Sequence, residues 1–173
     1  MYIMGKILMI IPPERFRDEE LFITKEELES EGHSIVIAST KKGTIQGSRG
    51  GSINSEIIIE AVNTSDYDAV VFVGGGGSKL LFNNQTAIKI AKKMNDQNKV
   101  VSAICLAPVI LANAGILMEK NATVAGTEAK TIENKGAYYT GPGVTVDGNI
   151  VTGNAPKASR LFGKKISELL RSL

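Results

Sequence analysis

Apolar positions in this chain fall into short, nearly unbroken runs separated by charged stretches of helix length. "GKILMII", from Gly5, is a run of the kind that fits a strand covered on both faces of a parallel sheet. The charged segment "ERFRDEELFITKEELESEG" follows, with Phe16, Glu20, Phe22 or Ile23, and Leu28 at loosely helical intervals and Gly32 as the stop. A second strand is predicted over Ser34–Ser39. The glycine-rich "TKKGTIQGSRGGSINS" reads as an irregular loop with room for a small hairpin.

"YDAVVFV" predicts a third buried strand that runs straight into Gly74, Gly75, Gly76 and Gly77. "QTAIKIAKKMNDQNK" places Ile88, Ala91 and Met94 on one side of an amphipathic helix. "VVSAI" is a fourth strand, followed by Cys105 and a helix that Gly115 ends. Beyond it, "ATVAG" predicts a strand and "TEAKTIENKG" a helix. Asp147-Gly148 sits between two alternating runs as a hairpin turn. A last helix, Ala155 to Leu173, sets Leu161, Phe162, Ile166, Leu169 and Leu170 on a common face. Strands alternating with helices predict a doubly wound, mostly parallel sheet with helices on both faces. No linker, internal repeat or low-complexity tract divides the chain, so residues 1–173 are expected to form one domain.

Composition narrows the function classes. Twenty basic residues oppose 18 acidic ones, a formal charge of +2 without any basic block, and aromatics make up only 5%. Neither feature favours nucleic acid. In the N-terminal "MYIMGKILMIIPPERF", Lys6 and two prolines break the apolar run well short of a membrane span or a signal sequence. A soluble, cytoplasmic chain is expected. The single cysteine excludes an internal disulfide and any Cys-cluster metal site.

That cysteine stands where the fourth strand stops and a helix begins. A lone cysteine in an apolar run is ordinarily a buried core residue. At the carboxyl edge of an open α/β sheet, where ligands bind, the position carries more weight. The frame Ala103-Ile104-Cys105-Leu106-Ala107 has small residues two places away on each side, as a sharp strand-to-helix elbow requires. Pro108 suits the first turn of the helix. A helix N-terminus aimed at the sulfur would lower its pKa and leave a thiolate that is both nucleophilic and oxidisable.

The four glycines lie at a neighbouring strand end. No phosphate-loop or dinucleotide pattern accompanies them. They form either a tight turn of purely structural value or an oxyanion hole, with the N–H groups of Gly74 or Gly75 and of Leu106 facing a substrate carbonyl above Cys105.

Taken in order, "FRDEEL", "EGHSIVIAS", "YDAVVFVGG", "VVSAICLAP", "ILANAGIL" and "VTVDGNIVTGNAP" resemble the ThiJ/PfpI family, of the intracellular protease I type, within the class I glutamine amidotransferase-like superfamily. The resemblance implies a flavodoxin-like fold and Cys105 as elbow nucleophile. It also implies homodimers or higher oligomers with sites near subunit boundaries; separately, no cofactor is expected. It implies a histidine directly after the cysteine, where this chain has Leu106, and an acidic residue after the glycine turn, where it has Lys79. The only histidine, His33, falls in the turn "ESEGHSI" and is expected to be solvent-exposed. Family members hold the cysteine with a glutamate near the first strand. Ungapped, Arg17 takes that place, and Glu14, Glu19 or Glu20 could supply the carboxylate, with Glu14 and Glu20 ahead. These acids also suit a solvated helix N-terminus.

Three function classes follow. In the first, Cys105 attacks a carbonyl or aldehyde carbon of a small molecule or peptide, and Glu14 or Glu20 moves the proton. Without a histidine to protonate an amide leaving group, peptidase action is disfavoured and activated carbonyls such as 2-oxoaldehydes are favoured. In the second, Cys105 is reversibly oxidised in a redox-responsive or stress-protective protein. In the third, the cysteine is structural and the chain serves as a binding partner.

Overall fold

The apolar runs become the interior of one sheet in a computed structural model that describes residues 4–173; the first three residues of the N-terminal apolar run lie outside the described residues. In chain order the elements are β1 (Lys6–Ile10), α1 (Asp18–Ser30), β2 (Ser34–Ser39), β3 (Gly43–Gln46), β4 (Ser52–Ser55), β5 (Ile57–Ile58), β6 (Ala69–Phe72), α2 (Gln85–Asp96), β7 (Val100–Ile104), α3 (Pro108–Asn113), β8 (Asn121–Ala122), α4 (Ala129–Asn134), β9 (Tyr138–Tyr139), β10 (Val144–Asp147), β11 (Ile150–Gly153) and α5 (Ser159–Ser172). The main sheet runs β10-β11-β7-β6-β1-β2-β5. Its pairs are parallel except the β10–β11 hairpin, whose turn uses Gly148 at φ 60°.

Strand alternation divides the interior into two cores. Leu8, Ile10, Val70, Phe72, Val101 and Ala103 pack on α2 and α3, whereas Ile7, Met9, Val71 and Ile104 pack on α1 and α5. Side chains on successive residues of a strand point to opposite faces, so a run must be apolar throughout when helices cover both sides. The glycine-rich loop does contain a small hairpin, β3 with β4. Among the described residues no helix is long and apolar enough to cross a membrane.

Four expectations are corrected. "ATVAG" contributes only Asn121–Ala122, in a separate pair with β9 rather than in the main sheet. The buried face of α1 is Glu20, Leu21, Thr24, Glu27 and Leu28; Phe22 is exposed, and Phe16 lies before the helix. The apolar pattern misleads here because three polar side chains sit on the inner face, each with its own partner. Glu20 meets the 74–77 turn, while Thr24 donates to the Ser159 carbonyl and Glu27 pairs with Arg160. On α5, Phe162 and Ile166 are fully buried but Leu161 is 46% exposed.

His33 is the fourth correction. It is not an exposed turn residue: only 4% of its surface is accessible. Glu31 and Gly32 make the outward turn, and His33, just before β2, is folded inward beside the start of β1. Its Nδ1 accepts the Gly5 N–H at 3.0 Å, so Nε2 carries the proton and meets Ser167 Oγ at 2.9 Å. The imidazole thus ties β1, β2 and α5 together at the amino edge of the sheet, the end opposite Cys105.

Burial lowers the His33 pKa, opposed by the charges of Glu31 and Asp68 and assisted by Arg171. A histidine whose folded pKa is depressed contributes stability that is complete above its unfolded pKa of about 6.5 and is lost as pH falls through the lower folded value. Protonated Nδ1 can no longer accept from Gly5. Thermal melts of the wild type are therefore expected to drop more steeply between pH 7 and pH 5 than those of His33→Gln. Parallel curves would contradict this.

Candidate active site

Cys105 is held in an elbow by its backbone. The residue adopts φ 64°, a left-handed conformation that costs a non-glycine residue about 1–3 kcal/mol. Two hydrogen bonds retain it: its N–H donates to the Gly153 carbonyl at 2.9 Å, and its carbonyl accepts from the Ala125 N–H at 2.7 Å. Ala103 and Ala107 on either side are fully buried, so the small flanking residues fit the corner. The helix starts later than expected: Cys105, Leu106 and Ala107 form a turn, and α3 begins at Pro108 and spans six residues. So short and displaced a helix gives its dipole less hold on the sulfur than the sequence suggests.

The glycine turn brings a second strand end against this corner. A Cβ on Gly74 would lie 2.6 Å from both Glu20 Oε1 and the Ile104 carbonyl oxygen, and 3.0 Å from Cys105 Cβ. Gly75, at φ 105°, would collide with the Arg17 amide. Close passage of the 14–17 segment therefore requires a bare backbone, and the Gly74 carbonyl accepts the Arg17 N–H at 3.0 Å. Gly74 is corrected as an oxyanion donor, because its N–H is already given to Glu20 at 2.9 Å. The N–H groups of Gly75 and Leu106 are the ones that act on the Cys105 sulfur.

Of the candidate carboxylates, only Glu20 reaches the thiol. Glu14 points to solvent and pairs with Arg15 at 3.1 Å, more than half exposed, so the structure does not bring it to Cys105. Glu19 is held by Arg17 at 2.9 Å, and that guanidinium keeps its carboxyl down at about 2. Glu20 is fully buried. Its Oε1 takes the Gly74 N–H, its Oε2 has no hydrogen-bond partner among the described residues, and the Cys105 thiol acts on the carboxyl as a whole.

Burial governs the protonation of this pair. Loss of hydration pushes Glu20 up to about 8, against the hydrogen bonds from Cys105 and Gly74 and the charge of Arg17. It also pushes the Cys105 thiol up to about 12, aided by a charged Glu20 and opposed by the N–H groups of Leu106 and Gly75. The expected low thiol pKa is thus corrected: desolvation outweighs the helix end. Cys105 itself is only half-buried rather than freely exposed. Near neutrality Glu20 holds a proton. A neutral carboxyl no longer repels a thiolate but donates to it, which leaves burial opposed by two N–H groups and by the Arg17 charge that also acts on Cys105.

The remaining candidates lie elsewhere. Lys79 is exposed beyond the turn, and half-buried Leu106 offers no base. Arg17, which takes the place of the expected glutamate in an ungapped match, supplies charge beside the pair instead. The backbone partners Ala125 and Gly153 left no signal in the sequence, since carbonyl and amide groups are the same in every residue. Among the described residues, no three His, Cys, Asp or Glu side chains gather in a way that could hold a metal ion.

Comparison with known proteins places this geometry in context. The sequence model of the DJ-1/PfpI family matches residues 5–169. An uncharacterized protein of Methanocaldococcus jannaschii is 48% identical over 165 residues, covering 94% of this chain and 80% of its own length. A deglycase of Pyrococcus abyssi is 33% identical over 164 residues, covering 95% of this chain and 99% of its own. The crystal structure of a ThiJ/PfpI domain protein from Brachyspira murdochii superimposes with a TM-score of 0.95 at 37% identity, covering 97% of each chain. The flavodoxin-like, mostly parallel sheet is common to that structure and this one.

A carboxyl whose folded pKa is raised stabilises the fold fully below its unfolded pKa, and that contribution is lost as pH rises through the folded value, here about 8. Wild-type stability is therefore expected to decline between about pH 5 and pH 8 by on the order of a few kcal/mol and to level off above the folded value. Glu20→Gln, which cannot ionise, should show a flatter decline in urea titrations. An equal decline in both proteins would mean that Glu20 is already charged at neutrality.

Proposed function

The chain belongs to the DJ-1/PfpI family, and on that premise we propose that it is a cysteine-dependent enzyme in which Cys105 attacks an aldehyde or other activated carbonyl and Glu20 moves the proton. One observation carries this reading. A fully buried carboxyl with a free oxygen sits against a thiol held at positive φ, and two backbone N–H groups converge on that thiol. Structural cysteines have no need of such a constellation, whereas an activated nucleophile does.

In the reacting form the pair carries one negative charge, on sulfur, with the remaining proton on Glu20. The sulfur forms a bond to the carbonyl carbon as the C=O π pair moves onto oxygen. That oxygen takes the proton from Glu20, giving a neutral hemithioacetal and a Glu20 carboxylate that serves as base for the next proton transfer. The N–H groups of Gly75 and Leu106, released from the sulfur as it loses its charge, suit the developing oxyanion. With Leu106 in place of a histidine, no imidazole protonates an amide nitrogen. Aldehydes and 2-oxoaldehydes or their adducts, which need no such leaving-group protonation, are the favoured substrates. The name deglycase borne by the Pyrococcus abyssi relative is consistent with carbonyl chemistry of this kind.

Methylglyoxal consumption tests the reading. Cys105→Ala is expected to fall to the uncatalysed rate. Glu20→Gln is expected to lose about 10²–10⁴-fold in kcat/KM, the usual worth of a positioned acid or base. Because the Gln amide still donates to sulfur, alkylation of Cys105 by iodoacetamide should fall far less in Glu20→Gln than turnover does. Equal consumption by wild type and Cys105→Ala would overturn the reading.

A further inference from the structure

A cavity of about 450 Å³ opens between the start of α1 and the start of α5, and Arg17 in its wall is the residue whose charge reaches Cys105. Arg17, Glu19 and Ile23 form one wall; Pro156, Lys157 and Arg160 form the other. The volume lies in the range of small-molecule sites. Two backbone links join it to Cys105. The Arg17 N–H donates to the Gly74 carbonyl, whose residue abuts Cys105, and the second wall follows directly from Gly153, which accepts the Cys105 N–H.

The charges of the lining are unequal. Three cations face one carboxylate, Glu19; with Arg160 set against Glu27, one positive charge remains in excess. Glu19 takes the Nε and Nη2 of Arg17, so Nη1 of that guanidinium is uncommitted among the described residues. Arg160 reaches Glu26 and Glu27 outside the lining only at 3.4 Å. Lys157 is exposed and has no carboxylate within ion-pair distance among the described residues. Ile23 and Pro156 add an apolar surface on which a short carbon chain can lie.

The geometry points to an anion subsite in this cavity: the substrate is a small carbonyl compound that carries a carboxylate or phosphate group, held by Lys157, Arg160 and Arg17 while its carbonyl meets Cys105. The subsite rests on Cys105 being the reacting thiol, and it narrows the substrate class from carbonyls in general to anionic ones. A neutral oxoaldehyde would use only half of the site.

Alkylation rates of Cys105 by iodoacetate and by iodoacetamide separate the two ideas. In both reagents sulfur bonds to the methylene carbon as the C–I bond breaks and iodide leaves with the bonding pair; only the charge of the tail differs. At low ionic strength, the iodoacetate-to-iodoacetamide rate ratio is expected to exceed that of glutathione by about twofold to fourfold, as one excess charge at several ångströms would give in a hydrated cavity. The ratio cancels changes in the reactivity of the sulfur itself. It should fall toward the glutathione value in Lys157→Ala and in Arg160→Ala, and recover in Lys157→Arg. Protection against iodoacetamide by acetate alone assigns a carboxylate tail, and protection by inorganic phosphate assigns a phosphate. A reactive thiol with no preference for iodoacetate, or a preference indifferent to both alanine variants, overturns the subsite alone. A thiol inert to both reagents overturns the role of Cys105 and the subsite with it.

Discussion

Everything at the carboxyl edge of the sheet is arranged around a carboxyl group that water cannot reach. Burying Glu20 costs several kcal/mol if the group is charged and unpaired, far less if it holds a proton and meets a donor. The 74–77 turn provides that donor in the Gly74 N–H, and it can approach only because Gly74 has no side chain. The same approach sets β6 against the end of β7, where Cys105 is fixed at φ 64° between Gly153 and Ala125. Helix, turn and elbow thus constrain one another through a single side chain.

The sheet was legible because burial on both faces favours apolar residues along a strand, a pattern that "GKILMII", "YDAVVFV" and "VVSAI" follow closely, the buried Ser102 being satisfied by donating to the Val70 carbonyl. The Asp147-Gly148 hairpin and the elbow at Cys105 were legible for local reasons: turn chemistry in one case, small residues around a corner in the other. The choice between Glu14 and Glu20 was not. It depends on the phase of α1, and that phase is hidden because Glu20, Thr24 and Glu27 place polar atoms on the inner face. Similarly, "ESEGHSI" reads as an exposed turn, yet His33, the residue just before β2, is already buried, and only its contacts with Gly5 and Ser167 reveal that. The protonation of the Cys105–Glu20 pair was beyond the sequence altogether, since it follows from how deeply two distant residues are buried together.

In the proposed chemistry, Leu106 at the place where the family resemblance implies a histidine does not leave the Cys105 thiol without help. In place of an imidazole that would stabilise a thiolate by charge, this site has a neutral acid, two backbone N–H groups and, at a little distance, Arg17. Such a set can carry one proton to and from a carbonyl oxygen, which is what addition to an aldehyde needs. It has no second group to release an amine. The subsite proposed for an anionic substrate lies in a cavity where Arg17, Lys157 and Arg160 come together from segments far apart in the sequence.

The protonation state of Glu20 is directly observable. Infrared difference spectra between wild type and Glu20→Gln, recorded at pH 7 with isotope-labelled glutamate, isolate the stretch of this one carboxyl group. A carbonyl band of a protonated acid is expected at pH 7, giving way to carboxylate bands as pH rises through about 8. Carboxylate bands alone at pH 7 would contradict the neutral acid on which the chemistry of Cys105 depends.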